Sequence, residues 1–348
     1  HYCSRTFENQ TWNSIAAFEA MRERPDLRPD LIVSHSGFVS SLFLRELYPD
    51  VPQIGHFEFF YHPHQSEMDF RHDLPQPSVM DNLRARQRNA QLLLDLNHCD
   101  AGYVPTDFQR SQFPPEYGSK LQTIFDGIDT DFWKPNPTRP RPSMSFGEAK
   151  IPPDHRLVTY VSRGFESMRG FDIFLRAATK ICAERGDVSV VVVGEDRIAY
   201  GGDNRFTDGK SFKNWTVDRY QLDLERIHFV GRLPASELTR LLALSDLHFY
   251  LTVPFVLSWS LMNALSCGCT VLASDTAPVR DVIRDGEEGI LCDFFDVEGF
   301  VAAACEVLED PAAHRHLGEA GRNKMVRDFS LPVCLEKMHQ LYAEIFNP

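Results

Sequence analysis

The chain has little of what marks membrane, secreted or nucleic-acid-binding proteins. No apolar run approaches the roughly 20 residues of a membrane span, and no signal-peptide pattern is visible. Basic charge is scarce: 36 Lys and Arg stand against 49 Asp and Glu, a formal net charge of −13. Phosphate backbones select basic surfaces, which argues against nucleic acid as the main partner. A nucleotide, which needs only a few local cations, stays admissible. Cysteine is thinly spread. Eight thiols (Cys3, Cys99, Cys182, Cys267, Cys269, Cys292, Cys305 and Cys334) sit in apolar contexts without the density of a disulfide scaffold, so a reducing cytoplasmic setting is expected. Cys267-Gly268-Cys269 has the wrong spacing for a zinc knuckle and reads as buried core. No internal repeat is seen.

What is present is a globular composition, 43% hydrophobic and 24% charged over 348 residues, enough for two domains with large cores. The chain opens on His1 rather than Met, which predicts a first domain incomplete at its N-terminus. Strand and helix patterns alternate nearly throughout, the signature of an α/β fold. In the first part the strands are Leu31 to His35, Gln53 to Phe57, Gly102 to Pro105 and Leu121 to Phe125, with helices over Val39 to Leu47, Met80 to Leu96 and Thr106 to Gln112. From Trp133 to Pro153 the chain is Pro-rich and aperiodic, which is linker chemistry. Six strands follow: Leu157 to Ser162, Val188 to Val193, Ile227 to Val230, Leu247 to Leu251, Thr270 to Ala273 and Gly289 to Cys292. They make a complete doubly wound domain. Leu331 to Phe346 is an amphipathic helix able to pack back on the first domain. The predicted organisation is therefore a partial domain over 1–135, a linker over 136–154, a second domain over 155–330 and a final helix over 331–348.

Two loops of the second domain carry chemistry. Ser162 to Gly170 follows a strand directly and leads into a helix over Phe171 to Ala183, so Arg163 and Arg169 can converge on one anion. Two solvated surface arginines are the plainer reading; their place at a strand's carboxyl end favours the anion site. Pro254 to Arg280 reads as a loop, a small-residue helix over Ser258 to Cys267, a strand and a second loop, with Gly268 free to cap the helix left-handedly. The helix N-terminus would present N–H groups to a diphosphate.

The segments SRGFESMRGFDIFLRA, VVVVGEDRIAYG, IHFVGRLP, TVPFVLSWSLMNALSCG and SDTAPVRDVIRDGEEGILCDFFD, in that order over about residues 155 to 330, resemble the donor-binding domain of family 4 retaining glycosyltransferases. In the first part LIVSHSG, QIGHFEFFYHP, YVPTDFQRSQF and IFDGIDTDFWKP are similar to that family's acceptor-side strands and pre-linker motif. The resemblance implies the GT-B fold, two Rossmann-like domains facing across a cleft. It also implies a metal-independent enzyme that moves a hexose from a UDP- or GDP-linked donor to a glycan, lipid-linked or small-molecule hydroxyl, with no cofactor.

Residue by residue, the resemblance gives Arg163 and Arg169 to the donor diphosphate. It gives Gly231, Arg232 and Leu233 to the base pocket, Phe255, Val256, Leu257 and Ser258 to the β-phosphate and sugar, and Glu195 to the same binding set. His56 falls near the reacting sugar. The family's paired glutamates fall on Phe255 and Asn263, so a second reading is a sugar-nucleotide-binding protein with weakened catalysis, acting as partner of an active transferase.

Three features have alternatives. His62 and His64 beside Glu58 form either an acceptor-side wall or a metal site. His35 contacts acceptor or is a satisfied core histidine. Arg84, Arg86 and Arg88 make a solvated helix face or touch anionic lipid, which leaves peripheral membrane contact open.

Overall fold

A computed structural model describes residues 1–136 and 144–346; residues 137–143 of the expected linker, and the last two residues, lie outside the described set. The chain divides into two compact units, one of residues 1–126 with 334–348 and one of residues 127–333.

In the first unit helix α1 (Arg5–Arg22) is followed by β1 (Ile32–His35), β2 (Gln53–His56), α2 (Val79–His98), β3 (Ala101–Val104), α3 (Asp107–Ser111) and β4 (Leu121–Thr123). The four strands pair in that order, all parallel. Two glycines explain how the sheet packs: a Cβ on Gly55 or Gly102 would come within 2.4 or 2.8 Å of the Phe57 ring. Phe57 can lie flat across both strands only because neither carries a side chain there, and it then joins Leu92, Leu96, Val104 and Leu121 in the core. Helix α2 starts at a capping box in which Ser78 and Asp81 satisfy each other's N–H groups. The helix expected over Val39 to Leu47 is only a 3-10 turn, Leu42–Glu46. Ser40 and Ser41 hydrogen-bond Asp95 and Ser34 instead of continuing a helix.

The second unit holds a hairpin, β5 (Met144–Phe146) and β6 (Ala149–Ile151), then β7 (Arg156–Gly164), α4 (Phe171–Glu184), β8 (Val188–Glu195), α5 (Phe212–Tyr220), β9 (Ile227–Phe229) and α6 (Ala235–Leu244). It continues with β10 (Leu247–Tyr250), α7 (Trp259–Ser266), β11 (Val271–Ser274), α8 (Ala277–Arg280), β12 (Ile290–Cys292), α9 (Val297–Glu309) and α10 (Arg315–Asp328). The sheet runs β12-β11-β10-β7-β8-β9, all parallel. All six strands read from sequence are present.

The boundary differs from the expected one. Residues 144–151, read as linker, form the hairpin, because Met144, Phe146 and Ile151 fill a core with Leu157, Val191, Val193 and Leu241. Residues 127–135, expected in the first domain, belong instead to the second unit. There Ile128 bridges to Ser330, and the Trp133 carbonyl accepts from Ser266 and Arg322. The final helix, α11 (Leu331–Phe346), sets Leu341, Met338, Tyr342 and Ile345 against Ile54 and Ile124 of the first unit.

Candidate functional site

In the second sheet the chain moves outward from β7 through β8 to β9, then returns to β10 on β7's other side. The loops after β7 and β10 therefore leave from adjacent strands at their carboxyl ends, the switch point at which such sheets bind ligands. The loops touch: a Cβ on Gly170, whose φ is +58°, would sit 2.6 Å from Leu251 Cβ. Arg169 ends the 3-10 turn Ser167–Arg169 and is buried, 6% exposed. Its guanidinium donates to Thr252 Oγ1 at 2.7 Å and to the Val256 carbonyl at 2.9 Å. It also faces the rings of Tyr200 and Phe255, 5.3 and 5.9 Å from their centroids. Among the described residues no carboxylate pairs with it. A buried arginine held by neutral groups alone keeps an uncompensated positive charge, which an anion would offset. Arg163 is exposed, and its Nη1 donates to the Tyr200 hydroxyl at 3.3 Å.

Helix α7 begins beside this pair. Ser258 caps it, accepting from the Ser260 N–H at 3.3 Å, while its own N–H donates to the Tyr250 hydroxyl at 2.8 Å. Phe255 and Leu257 are buried before the cap, and Val256 turns its carbonyl to Arg169. At the other end Gly268, φ +74°, completes a Schellman cap through Cys269 N–H to Ala264 O and Gly268 N–H to Leu265 O. Asn263, in the helix's second turn, is 7% exposed and its Oδ1 meets no partner. Leaving such an acceptor bare costs about 1–3 kcal/mol, which a ligand hydroxyl would relieve.

The other expected residues are more scattered. Gly231 has φ +68° with open space around its α-carbon, and its carbonyl accepts from Gly194 N–H at 2.9 Å. Arg232 is exposed beside it. Leu233 is packed against the hairpin core, which leaves its main chain as the part able to face a ligand. Glu195, at the carboxyl end of β8, is ion-paired with Arg197 at 2.9 Å.

Three residues at this site went unassigned on sequence grounds. Glu166 is fully buried, and its Oε2 accepts the N–H groups of Ala199, Tyr200 and Gly201 at 2.9, 2.8 and 3.0 Å. Asp203 accepts from the Ser167 N–H and hydroxyl, and burial pushes its carboxyl up to about 6. Together they fix the loop after β8 and present Tyr200, 47% exposed, between the two arginines. Only the small residues of Ala199-Tyr200-Gly201-Gly202 hinted at such a loop.

In the first unit His35, His56 and Tyr103 stand in register at the carboxyl ends of β1, β2 and β3. His56 stacks on Tyr103 with centroids 4.6 Å apart, and His35 meets it edge-on at 4.4 Å. Burial, then the neighbouring His35, lowers the His56 pKa to about 4, so the ring is neutral at pH 7 with Nε2 unpartnered. His35 is pulled the other way by Glu58, 3.5 Å from its Nε2. That pair gives His35 a carboxylate partner and gives Glu58 a histidine partner other than His62 and His64. His62 binds the Gln112 carbonyl and His64 lies 3.9 Å from Asp69. Among the described residues no group of three or more His, Cys, Asp or Glu could hold a metal ion. Arg84 and Arg88 lie over the rings of Tyr2 and Tyr61, and Arg86 is exposed. Among the described residues no helix is long and apolar enough to cross a membrane.

Residues 1–133 match the family model of the glycosyl transferase family 4 group, and residues 145–324 that of glycosyl transferases group 1. The chain is 23% identical over 228 residues to N-acetyl-alpha-D-glucosaminyl L-malate synthase of Bacillus anthracis, covering 65% of this chain and 54% of that protein. It is 26% identical over 241 residues to a GDP-mannose-dependent alpha-(1-6)-phosphatidylinositol monomannoside mannosyltransferase of Mycolicibacterium smegmatis, covering 65% and 58%. It thus spans a little over half the length of these curated relatives. Among solved structures it resembles HepE of Anabaena, crystallised with UDP and glucose, at a TM-score of 0.68 and 14% identity, covering 95% of this chain and 81% of that one. That likeness is one of fold, two Rossmann-like α/β domains of the GT-B type. With one model covering the first unit's sheet and the other more than half of the whole chain, the protein belongs to the family 4 glycosyltransferases.

Proposed function

We propose that this chain transfers a sugar from a nucleoside-diphosphate donor to a hydroxyl acceptor with retention of anomeric configuration. The observation that carries the reading is Arg169, buried without a carboxylate at the switch point, with Arg163 beside it. The orphaned Asn263 Oδ1 adds a place for a donor hydroxyl, the ribose diol being the fitting partner. A relative named as GDP-mannose-dependent and a fold neighbour crystallised with UDP and glucose support a nucleotide-linked donor without choosing its base.

In this reading the anomeric carbon loses its bond to the leaving phosphate oxygen and gains one to the acceptor oxygen on the same face. The acceptor proton passes to that phosphate oxygen. Arg163 and Arg169 stabilise the charge that develops on the diphosphate, the part of such a reaction on which a preorganised site acts most. Phe255 and Asn263 offer no carboxylate nucleophile, which favours front-face substitution. The first unit is assigned the acceptor, with neutral His56 offering Nε2 to a hydroxyl. The acceptor classes in view are a glycan, a lipid-linked sugar or a small molecule. Arg163→Ala tests the reading: transfer from the authentic donor should fall at least tenfold, and undiminished transfer would refute the role.

A further inference from the structure

The geometry points to Tyr200 as a direct ligand of the donor diphosphate, held in place by Glu166; the assignment rests on the donor-site reading above and extends it to residues that reading does not include. The Arg163 guanidinium donates to the Tyr200 oxygen at 3.3 Å. The phenol is thereby an acceptor toward the arginine, which leaves its own O–H to point elsewhere. A hydroxyl that accepts from a cation is polarised and becomes a better donor to an anion. Its ring centroid lies 5.3 Å from the Arg169 guanidinium, so the phenol stands between the two cations. The Phe255 ring, 5.9 Å away, closes the apolar side.

The position of Tyr200 is built, not incidental. Glu166 is 0% exposed, and one of its oxygens takes three consecutive N–H groups, from Ala199 to Gly201. Burying a carboxylate is expensive unless such bonds compensate it. Here all three converge on the residues that carry the phenol. Asp203, bound to both the N–H and hydroxyl of Ser167, fastens the far side of the loop to the arginine loop. Glu166 is accordingly a positioning residue. A half-exposed aromatic so firmly anchored between two arginines suits a contact with the phosphates rather than with the base.

The test uses the full chain and calorimetric titration. UDP and GDP are compared first, then the monophosphate of whichever base binds. For Tyr200→Phe the account expects diphosphate affinity to fall about tenfold, the usual size of a lost bond to a charged group, with monophosphate affinity changed less than about twofold. Glu166→Gln, which keeps a carbonyl oxygen for the three N–H groups, should bind more like wild type than Glu166→Ala does. If Tyr200→Phe binds diphosphate as wild type does, or loses both nucleotides equally, the assignment falls while the donor-site reading stands. If wild type binds neither diphosphate, both fall together. The thermal midpoint of Tyr200→Phe should match wild type, since the half-exposed ring is retained.

Discussion

Arg169 donates to Thr252 Oγ1 at 2.7 Å, a bond that ties the loop after β7 to the loop after β10 across the switch point of the second sheet. It orients a buried cation with neutral partners, and among the described residues no carboxylate offsets its charge. Arg169→Ala should weaken nucleoside-diphosphate binding by on the order of 2–3 kcal/mol, the scale of charge-assisted hydrogen bonds. Thr252→Val should lose less, because the Val256 carbonyl still holds the guanidinium. Calorimetry on both variants checks the order, and a larger loss in Thr252→Val would show that the arginine does not carry the site.

Asn263 gives effects of opposite sign on stability and binding. Its Oδ1 is buried with no partner, so Asn263→Leu, with the same number of side-chain heavy atoms and the same branching, should raise the unfolding free energy of the ligand-free protein by about 1 kcal/mol. The same change should weaken nucleotide binding, because the acceptor for a donor hydroxyl is gone. Urea unfolding and nucleotide titration of one variant measure both; stabilisation without weaker binding would place Asn263 outside the site.

His56 makes stability depend on pH in a known direction. Its pKa is about 4 in the fold against 6.5 in the unfolded chain. Between these values the unfolded state binds more protons, so the stability His56 contributes is fully present above pH 6.5 and is lost as pH falls toward 4. Comparing wild type with His56→Gln by denaturant unfolding should show a difference that grows to about 3 kcal/mol across this window. A constant offset would mean that His56 charges in the folded state.

Gly318 of α10 tests the support beneath α7. A Cβ there would sit 2.3 Å from the Gly268 carbonyl oxygen, in the cap that ends the helix. The two helices would have to part, so Gly318→Ala should cost about 1–3 kcal/mol. Chemical denaturation checks it, and a neutral result would show that the cap can shift.

The second unit was legible because its inner strands are buried on both faces and read as apolar runs: Val188 to Val193 is the plainest, and every residue from Val188 through Gly194 is indeed buried. The Arg163 to Arg169 loop was legible from the same pattern, as the link from a strand to a helix. Less was visible elsewhere. Helix α1 received no element from the sequence: its half-buried face of Phe7, Ile15, Phe18 and Met21 is interrupted by Gln10, Thr11 and Ser14, and Ser4 makes no side-chain cap. The β5–β6 hairpin has three-residue strands, too short for alternation to stand out from the prolines beside it. Tyr200 was invisible because its place is set by Glu166 from more than 30 residues away, a contact that no local pattern encodes.

Binding of a nucleoside diphosphate by the second unit through Arg169 is what the proposed function most requires. The most direct measurement is the thermal midpoint of the full chain with UDP, GDP and ADP, for wild type and for Arg169→Ala. One of the three should stabilise wild type, by about 2.7 kcal/mol at a hundred times its Kd, and should stabilise Arg169→Ala by less than about 1 kcal/mol at the same concentration. No rise with any of them, or an equal rise in the variant, would contradict the account.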